Sequence, residues 1–159
     1  MSGSQDFTIK LWNLSLKKCI KTLLGHSLSV FCLLLLNNGR LVSGSADTTI
    51  KIWNVDNGEC IRTLIGHTDF VWGLEFSNKH DLISCSNDKS IKIWNTTSGE
   101  CMHTLIGHLD GVFCLKVNAT NEILASSSTE IIKIWDLTSR QCTNTLDGHQ
   151  DWVAGLCFI

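Results

Sequence analysis

At 159 residues and 43% hydrophobic side chains, the chain has the length of one domain and enough apolar material to bury a core. Thirteen basic and fifteen acidic residues, net charge −2, are scattered along it, without the clustered Lys/Arg face that a nucleic-acid partner requires. The longest apolar run, Val30 to Leu36, falls far short of the ~18 residues that span a bilayer, so no membrane role is expected. The opening segment MSGSQDFTIK has neither the basic nor the apolar region of a secretory signal, and the expected address is intracellular, cytoplasmic or nuclear.

Along the chain, Gly-His pairs stand at 25–26, 66–67, 107–108 and 148–149, and tryptophans at 12, 53, 94 and 135, every interval being 41 residues. Residues 1–24 align with 42–65 and supply the later strands of a split unit. Full units follow at 25–65, 66–106 and 107–147, and residues 148–159 align with 66–77 as the first strand of the split unit. Inside a unit the apolar residues alternate with period two, as in VWGLEF (71–76), DLISCS (81–86) and SIKIW (90–94), and CMHTL (101–105) follows the turn TTSGE. Each unit therefore predicts four short antiparallel strands, a to d. With no proline and no helical periodicity, the fold class is all-β.

Four of the eight cysteines, Cys19, Cys60, Cys101 and Cys142, occupy one repeat column. Residues of one column lie in different units, too far apart to bridge. No CxxC pair and no His at zinc-ligand spacing occurs, so neither a metal nor any other cofactor is expected, and the thiols read as small buried hydrophobes.

A Gly-His pair, a Ser-x-Asp turn and a Trp followed by Asn or Asp, repeated at this period through the whole chain, resemble the WD-repeat family. The resemblance implies β-propeller blades of four antiparallel strands, about four of them. It also implies that a His, a strand-b Ser, a turn Asp and a strand-c Trp form a hydrogen-bonded chain inside each blade. Carried over, the sets are His26, Ser43, Asp47, Trp53 and His67, Ser84, Asp88, Trp94, with His149, Ser2, Asp6 and Trp12 in the split unit. Ser45 and Ser86 share the strand face of Ser43 and Ser84 and compete for the serine role. The unit with His108 and Trp135 departs from the pattern, with Ala125 in the Ser column and Thr129 in the Asp column, and is expected to be the loosest. The Ser, His and Asp of a set are the residue types of a hydrolase triad, but several copies of a catalytic site in one chain make no sense, and no catalytic residue is assigned.

By the same resemblance, the loops before strand a and the b–c turns form the top face that receives peptides. The fifth residue after each His is Phe31, Trp72, Phe113 or Ala154, and the third is Ser29, Phe70, Gly111 or Trp152. The residue before the turn Asp is Gln5, Ala46, Asn87 or Ser128. Five of the twelve aromatics fall in two columns, which points to a protein or peptide partner held by Phe31, Phe70, Trp72, Phe113 and Trp152, with Asn87 beside them. Packing between blades is the competing role, strongest for Trp72 and Phe113, while Phe70 and Trp152 precede strand a and are expected to be exposed. The segments GHSLSVFCL (25–33) and VSGSADTTIKIW (42–53) are similar to F-box-linked WD receptors, which read phosphoserine through top-face arginines, yet none of the three columns carries a basic residue.

A protein-interaction scaffold is thus the expected function. The alternative is a docking module of a larger enzyme-linked or regulatory protein, such as a ubiquitin-ligase substrate receptor, of which this chain is a fragment. Four repeats are few for a propeller, and both termini fall in the a–b hairpin of one blade. The expectation is an incomplete set of blades: an open arc, a strained ring of four, or two chains completing one larger ring. Open blade edges would then invite self-association.

Overall fold

In the computed structural model, which describes residues 1–77, 81–120 and 122–159, every regular element is a β-strand. The chain divides into two compact units, Met1–Val71 and Trp72–Ile159.

The first unit holds two antiparallel sheets. One runs β1 (Ser2–Gly3), β2 (Ile9–Asn13), β3 (Lys18–Leu23), and the other runs β4 (Val30–Leu35), β5 (Arg40–Ser45), β6 (Ile50–Asn54), β7 (Cys60–Leu64). The second unit begins within β8 (Val71–Phe76), whose sheet continues through β9 (Asp81–Ser86), β10 (Ser90–Asn95) and β11 (Cys101–Ile106). The last sheet comprises β12 (Cys114–Val117), β13 (Ile123–Ser127), β14 (Ile132–Asp136) and β15 (Gln141–Leu146). Each four-stranded sheet is an antiparallel meander, with the strands expected as a to d neighbouring one another in sequence order. Residues 148–159, aligned with strand a of the split unit, form no strand, and the sheet of residues 1–24 has three strands.

Local chemistry explains the repeated turns. In the b–c turn, the Asp47 carboxylate accepts the Thr49 amide at 3.0 Å and the Thr49 hydroxyl at 2.6 Å, with Thr48 between them in the left-handed region at φ 68°. Asp6 with Thr8, and Asp88 with Ser90, repeat this arrangement around Phe7 and Lys89. After the Trp, Asn54 Oδ1 accepts the Asp56 amide and Asn95 Oδ1 accepts the Thr97 amide, both at 2.8 Å, while Asp136 Oδ1 accepts the Thr138 amide at 3.0 Å. Only an acceptor oxygen is used there, which is why Asn replaces Asp after three of the four strand-c tryptophans without altering the turn.

The cores are built on the strand-c tryptophans. Trp53, Trp94 and Trp135 are 1–2% exposed. Trp53 packs with Ile9 and Leu23 of the preceding sheet and with Val30 and Leu41 of its own. Trp135 packs with Ile91, Ile93 and Leu105 of the sheet before it. A β-bulge adjoins each Trp in the c–d ladder, so that Trp53 lies opposite Cys60, Trp94 opposite Cys101 and Trp135 opposite Cys142.

The cysteine column differs from expectation. Cys19, Cys60, Cys101 and Cys142 are exposed on the outer strands, each thiol turned back onto the carbonyl two residues later at 3.3–3.4 Å. The bulge shifts the alternation by one, so the face facing the core elsewhere on strand d faces solvent at these positions. Cys85 alone is fully buried, and all eight thiols are free.

Replacing Trp53 by Ala removes an enclosed aromatic ring and should cost about 3–5 kcal/mol in urea denaturation. The same change at Trp12, 44% exposed, should cost less than half as much. Equal losses at the two positions would show that burial does not set the anchor.

Candidate functional site

Three polar chains hang from the buried indoles. In the second sheet Trp53 Nε1–H donates to Ser43 Oγ at 2.8 Å, Ser43 lies 2.7 Å from His26 Nε2, and His26 Nδ1 lies 2.7 Å from Asp47 Oδ2. The carboxylate accepts from Nδ1–H, so Nε2 must accept the serine proton, and the network assigns a neutral Nδ1–H tautomer. Burial lowers the His26 pKa, opposed by Asp47. Burial also pushes the Asp47 carboxyl up, but the bonds from Thr49, Ser27 and His26 outweigh it and hold the carboxyl at about 2. Gly25 lets the chain cross the ring edge, because a Cβ there would stand 3.1 Å from the Trp53 ring.

In the third sheet Trp94 Nε1–H donates to Ser84 Oγ at 2.8 Å, and His67 is buried. Ser45 and Ser86 take another task, each accepting the amide of its turn Asp at 3.0 Å. That separates them from Ser43 and Ser84.

The fourth sheet corrects the expected loss of its serine. Ser126, not the residue in the Ala125 column, accepts from Trp135 Nε1–H at 2.8 Å and lies 2.7 Å from His108 Nε2. Ser126 stands opposite Lys133 just as Ser43 stands opposite Lys51 and Ser84 opposite Lys92. Trp135 is as enclosed as its counterparts, so this blade is not loose at its anchor. What it lacks is the acid: with Thr129 in that column, no described residue bonds His108 Nδ1. Burial, with Lys133 adding to it, drives the His108 pKa down to about 4.

Of the set predicted for the split unit, Ser2 accepts from Trp12 Nε1–H at 2.9 Å and Asp6 holds its turn. His149 is exposed and does not take the enclosed place that His26 and His108 occupy.

Two of the five aromatics of the expected top face lie in Met1–Val71 and three in Trp72–Ile159. In Met1–Val71, Phe31 and Phe70 meet at 6.0 Å between ring centroids and are 37% and 38% exposed. In Trp72–Ile159, Phe113 contacts Trp72 edge-on at 6.0 Å and stacks on Trp152 at 4.7 Å with planes 19° apart. Trp152 is 63% exposed, whereas Trp72 and Phe113 are half-buried and Trp72 leans on the core. The half-buried Asn87 fills the space beside Gly111, where any Cβ would stand 2.5 Å from its Oδ1. In the second unit the exposed Trp152 therefore rests on the half-buried Phe113, whereas in the first Phe31 and Phe70 are about equally exposed.

A family model described as WD domain, G-beta repeat matches residues 17–54, 58–95 and 99–136, well over half of the chain. The chain belongs to the WD-repeat family. Each matched segment opens at strand d of one blade and closes on the residue after the strand-c Trp of the next. The chain is also 57% identical over 35 residues to an uncharacterized WD repeat-containing protein of Schizosaccharomyces pombe. That stretch is 22% of this chain and only 10% of the yeast protein. WD repeats generally mediate protein–protein interaction and are typically non-catalytic.

The histidines set an acid sensitivity. His108 titrates near 6.5 when unfolded and about 4 when folded, so its stabilising contribution is complete above pH 6.5 and is lost as pH falls through 4. His26, lowered in the same direction, adds to this loss. Asp47 contributes above its unfolded value of 3.8, and that part disappears as pH falls toward 2. Melting temperatures should drop steadily from pH 6.5 to 4, and a His108→Gln variant should show a shallower drop; an unchanged slope would contradict the assignment.

Proposed function

We propose that this WD-repeat chain is a non-catalytic interaction scaffold that grips an apolar or cationic peptide segment through the aromatic surfaces at the start of its a strands. The observation that carries the reading is the contact between solvent-facing rings at these positions: the exposed Phe70 meets the exposed Phe31, and the exposed Trp152 stacks on the half-buried Phe113. Rigid, preordered aromatics offer large contact area at small entropic cost, which is the composition of interface hot spots. A Lys or Arg side chain seated on such rings gains about 0.5–2 kcal/mol by cation–π contact, depending on desolvation. The three columns contain no Arg or Lys to match a phosphate, so phosphorylation of the bound segment should not strengthen binding.

The non-catalytic reading rests on access. Ser43, His26 and Asp47 are hydrogen-bonded in the order of a hydrolase triad, but Ser43 has no exposed surface and its oxygen already takes the Trp53 N–H. A nucleophile must reach its substrate, and this one is enclosed and occupied. Eight free thiols, four of them exposed on outer strands, suit a reducing intracellular compartment.

A pull-down followed by calorimetry with the captured segment tests the proposal. Phe70→Ala and Trp152→Ala should each weaken binding by about tenfold or more while leaving melting curves like wild type. Normal binding by both variants, or a ligand that needs a phosphate, would refute the aromatic surface as the site.

A further inference from the structure

Ser77 follows β8 and is only 3% exposed, yet its hydroxyl has no hydrogen-bond partner. Buried hydroxyls are nearly always bonded, because leaving one unbonded forfeits its hydration for nothing. The same repeat column holds Leu36, 4% exposed, and Asn118, whose Oδ1 accepts the amides of Glu122 and Ile123 at 3.0 Å. In the other two sheets this residue thus fills space or bonds the a–b turn. Ser77 does neither.

It lines instead a cleft of about 110 Å³ inside the second unit, between the sheet β8 to β11 and the turn after β14. Both sheets that form the cleft have their full four strands. The buried Ile83 and Ile93 make an apolar floor with the half-buried Leu137. Asp81 and Arg140 stand at the rim, both half-buried, and among the described residues neither forms an ion pair. Arg140 also sits in the left-handed region at φ 62°, at a turn position held by Gly58 (φ 85°) and Gly99 (φ 86°) in the two preceding sheets and by Lys17 (φ 52°) in the first. A residue with a Cβ is disfavoured there, and strain of this kind collects where a side chain has a task.

We infer that this cleft is a second docking point, which takes one leucine-sized aliphatic side chain of an extended partner segment in which an acidic residue stands next to it. The volume sets the size: it is below the ~150 Å³ that encloses a benzene and far below the ~300 Å³ of small-molecule sites, so one side chain fills it. Leucine suits the space because Leu36 is the buried occupant of the Ser77 column one repeat earlier. The unpaired guanidinium of Arg140 calls for a carboxylate, which it can hold bidentately. The Ser77 hydroxyl then donates to a backbone carbonyl of the segment, and the Asp81 carboxylate accepts a backbone N–H. Trp72 lies near the other end of β8, five residues or roughly 17 Å along the strand, and the aromatic positions ask for an apolar or cationic segment. The two docking points therefore select different chemistry, and either can fail alone.

The test titrates the whole ¹⁵N-labelled chain with the peptide acetyl-Glu-Leu-Glu-amide, followed by NMR up to millimolar peptide. Amide signals of Ser77, Asp81, Thr138 and Arg140 should shift, and those of Phe70 and Trp152 should stay in place. The peptides acetyl-Gln-Leu-Gln-amide and acetyl-Glu-Gly-Glu-amide should each bind roughly tenfold more weakly, one lacking the charge for Arg140 and the other the side chain for the floor. Two variants separate binding from folding. Arg140→Gly installs the residue that the neighbouring turns use, and Ser77→Leu fills the cleft from within, so both should melt at or above the wild-type temperature while losing roughly tenfold or more in affinity. Ser77→Val replaces Ser77→Leu if the larger side chain melts early. No shift at the cleft residues, equal binding of the three peptides, or binding that survives both substitutions would overturn the inference.

Discussion

A buried indole has one polar atom, and the rest of this structure depends on where that atom is satisfied. The ring supplies most of the stabilisation, since enclosing some 200 Å² of aromatic surface at about 25 cal/mol/Å² far exceeds the ~1 kcal/mol of one net hydrogen bond. Direction is what the bond adds. A one-residue slip between strands b and c would turn Ser43, Ser84 or Ser126 away and leave a buried N–H without an acceptor. The Trp–Ser bond therefore fixes register, and register places everything carried by the turns.

From that bond the polar chain runs outward with unequal success. Ser43 passes its proton toward His26, and His26 points its own at Asp47, which also holds the b–c turn through Thr49. Where Thr129 stands instead of an acid, the chain stops at His108, and burial, helped by Lys133 and opposed by Asp110, holds the ring neutral. Trp135 stays enclosed all the same, so the acid link is an addition to the anchor and not a condition for it. The aromatic surfaces inherit this order, because Phe31 and Trp72 lie on strands whose neighbours in the ladder carry the serines.

Much of this was legible in the sequence because a strict 41-residue period places like residues at like positions. The all-β meanders follow from the columns, whereas the partnership of Ser43 with His26 and of Ser84 with Trp94 is what the resemblance to WD repeats implies when carried onto them. Two errors have one origin, namely that column counting assumes equal turns and unbroken alternation. Between His108 and Trp135 the spacing is the usual 27 residues, but the a–b turn is one residue longer and the b–c turn one shorter. Counting forward from the His therefore finds Ala125, whereas pairing back from Trp135 across the shortened turn finds Ser126 opposite Lys133. The exposed cysteines arise because the bulge beside each Trp shifts strand d by one residue, a displacement that no hydropathy pattern records. His149 sits in the right column, yet it is exposed, and nothing lies within 4 Å of a Cβ built at Gly148 beside it.

Hydrogen exchange of the indole N–H protons, followed by NMR in dilute solution, reads the anchoring bond directly. The account predicts that the Nε1 protons of Trp53, Trp94 and Trp135 exchange only on global opening, while those of Trp12 and Trp152 exchange far faster. Trp53, Trp94 and Trp135 exchanging as quickly as Trp12 would contradict it, since the bond that sets the register of each blade would then be open to water.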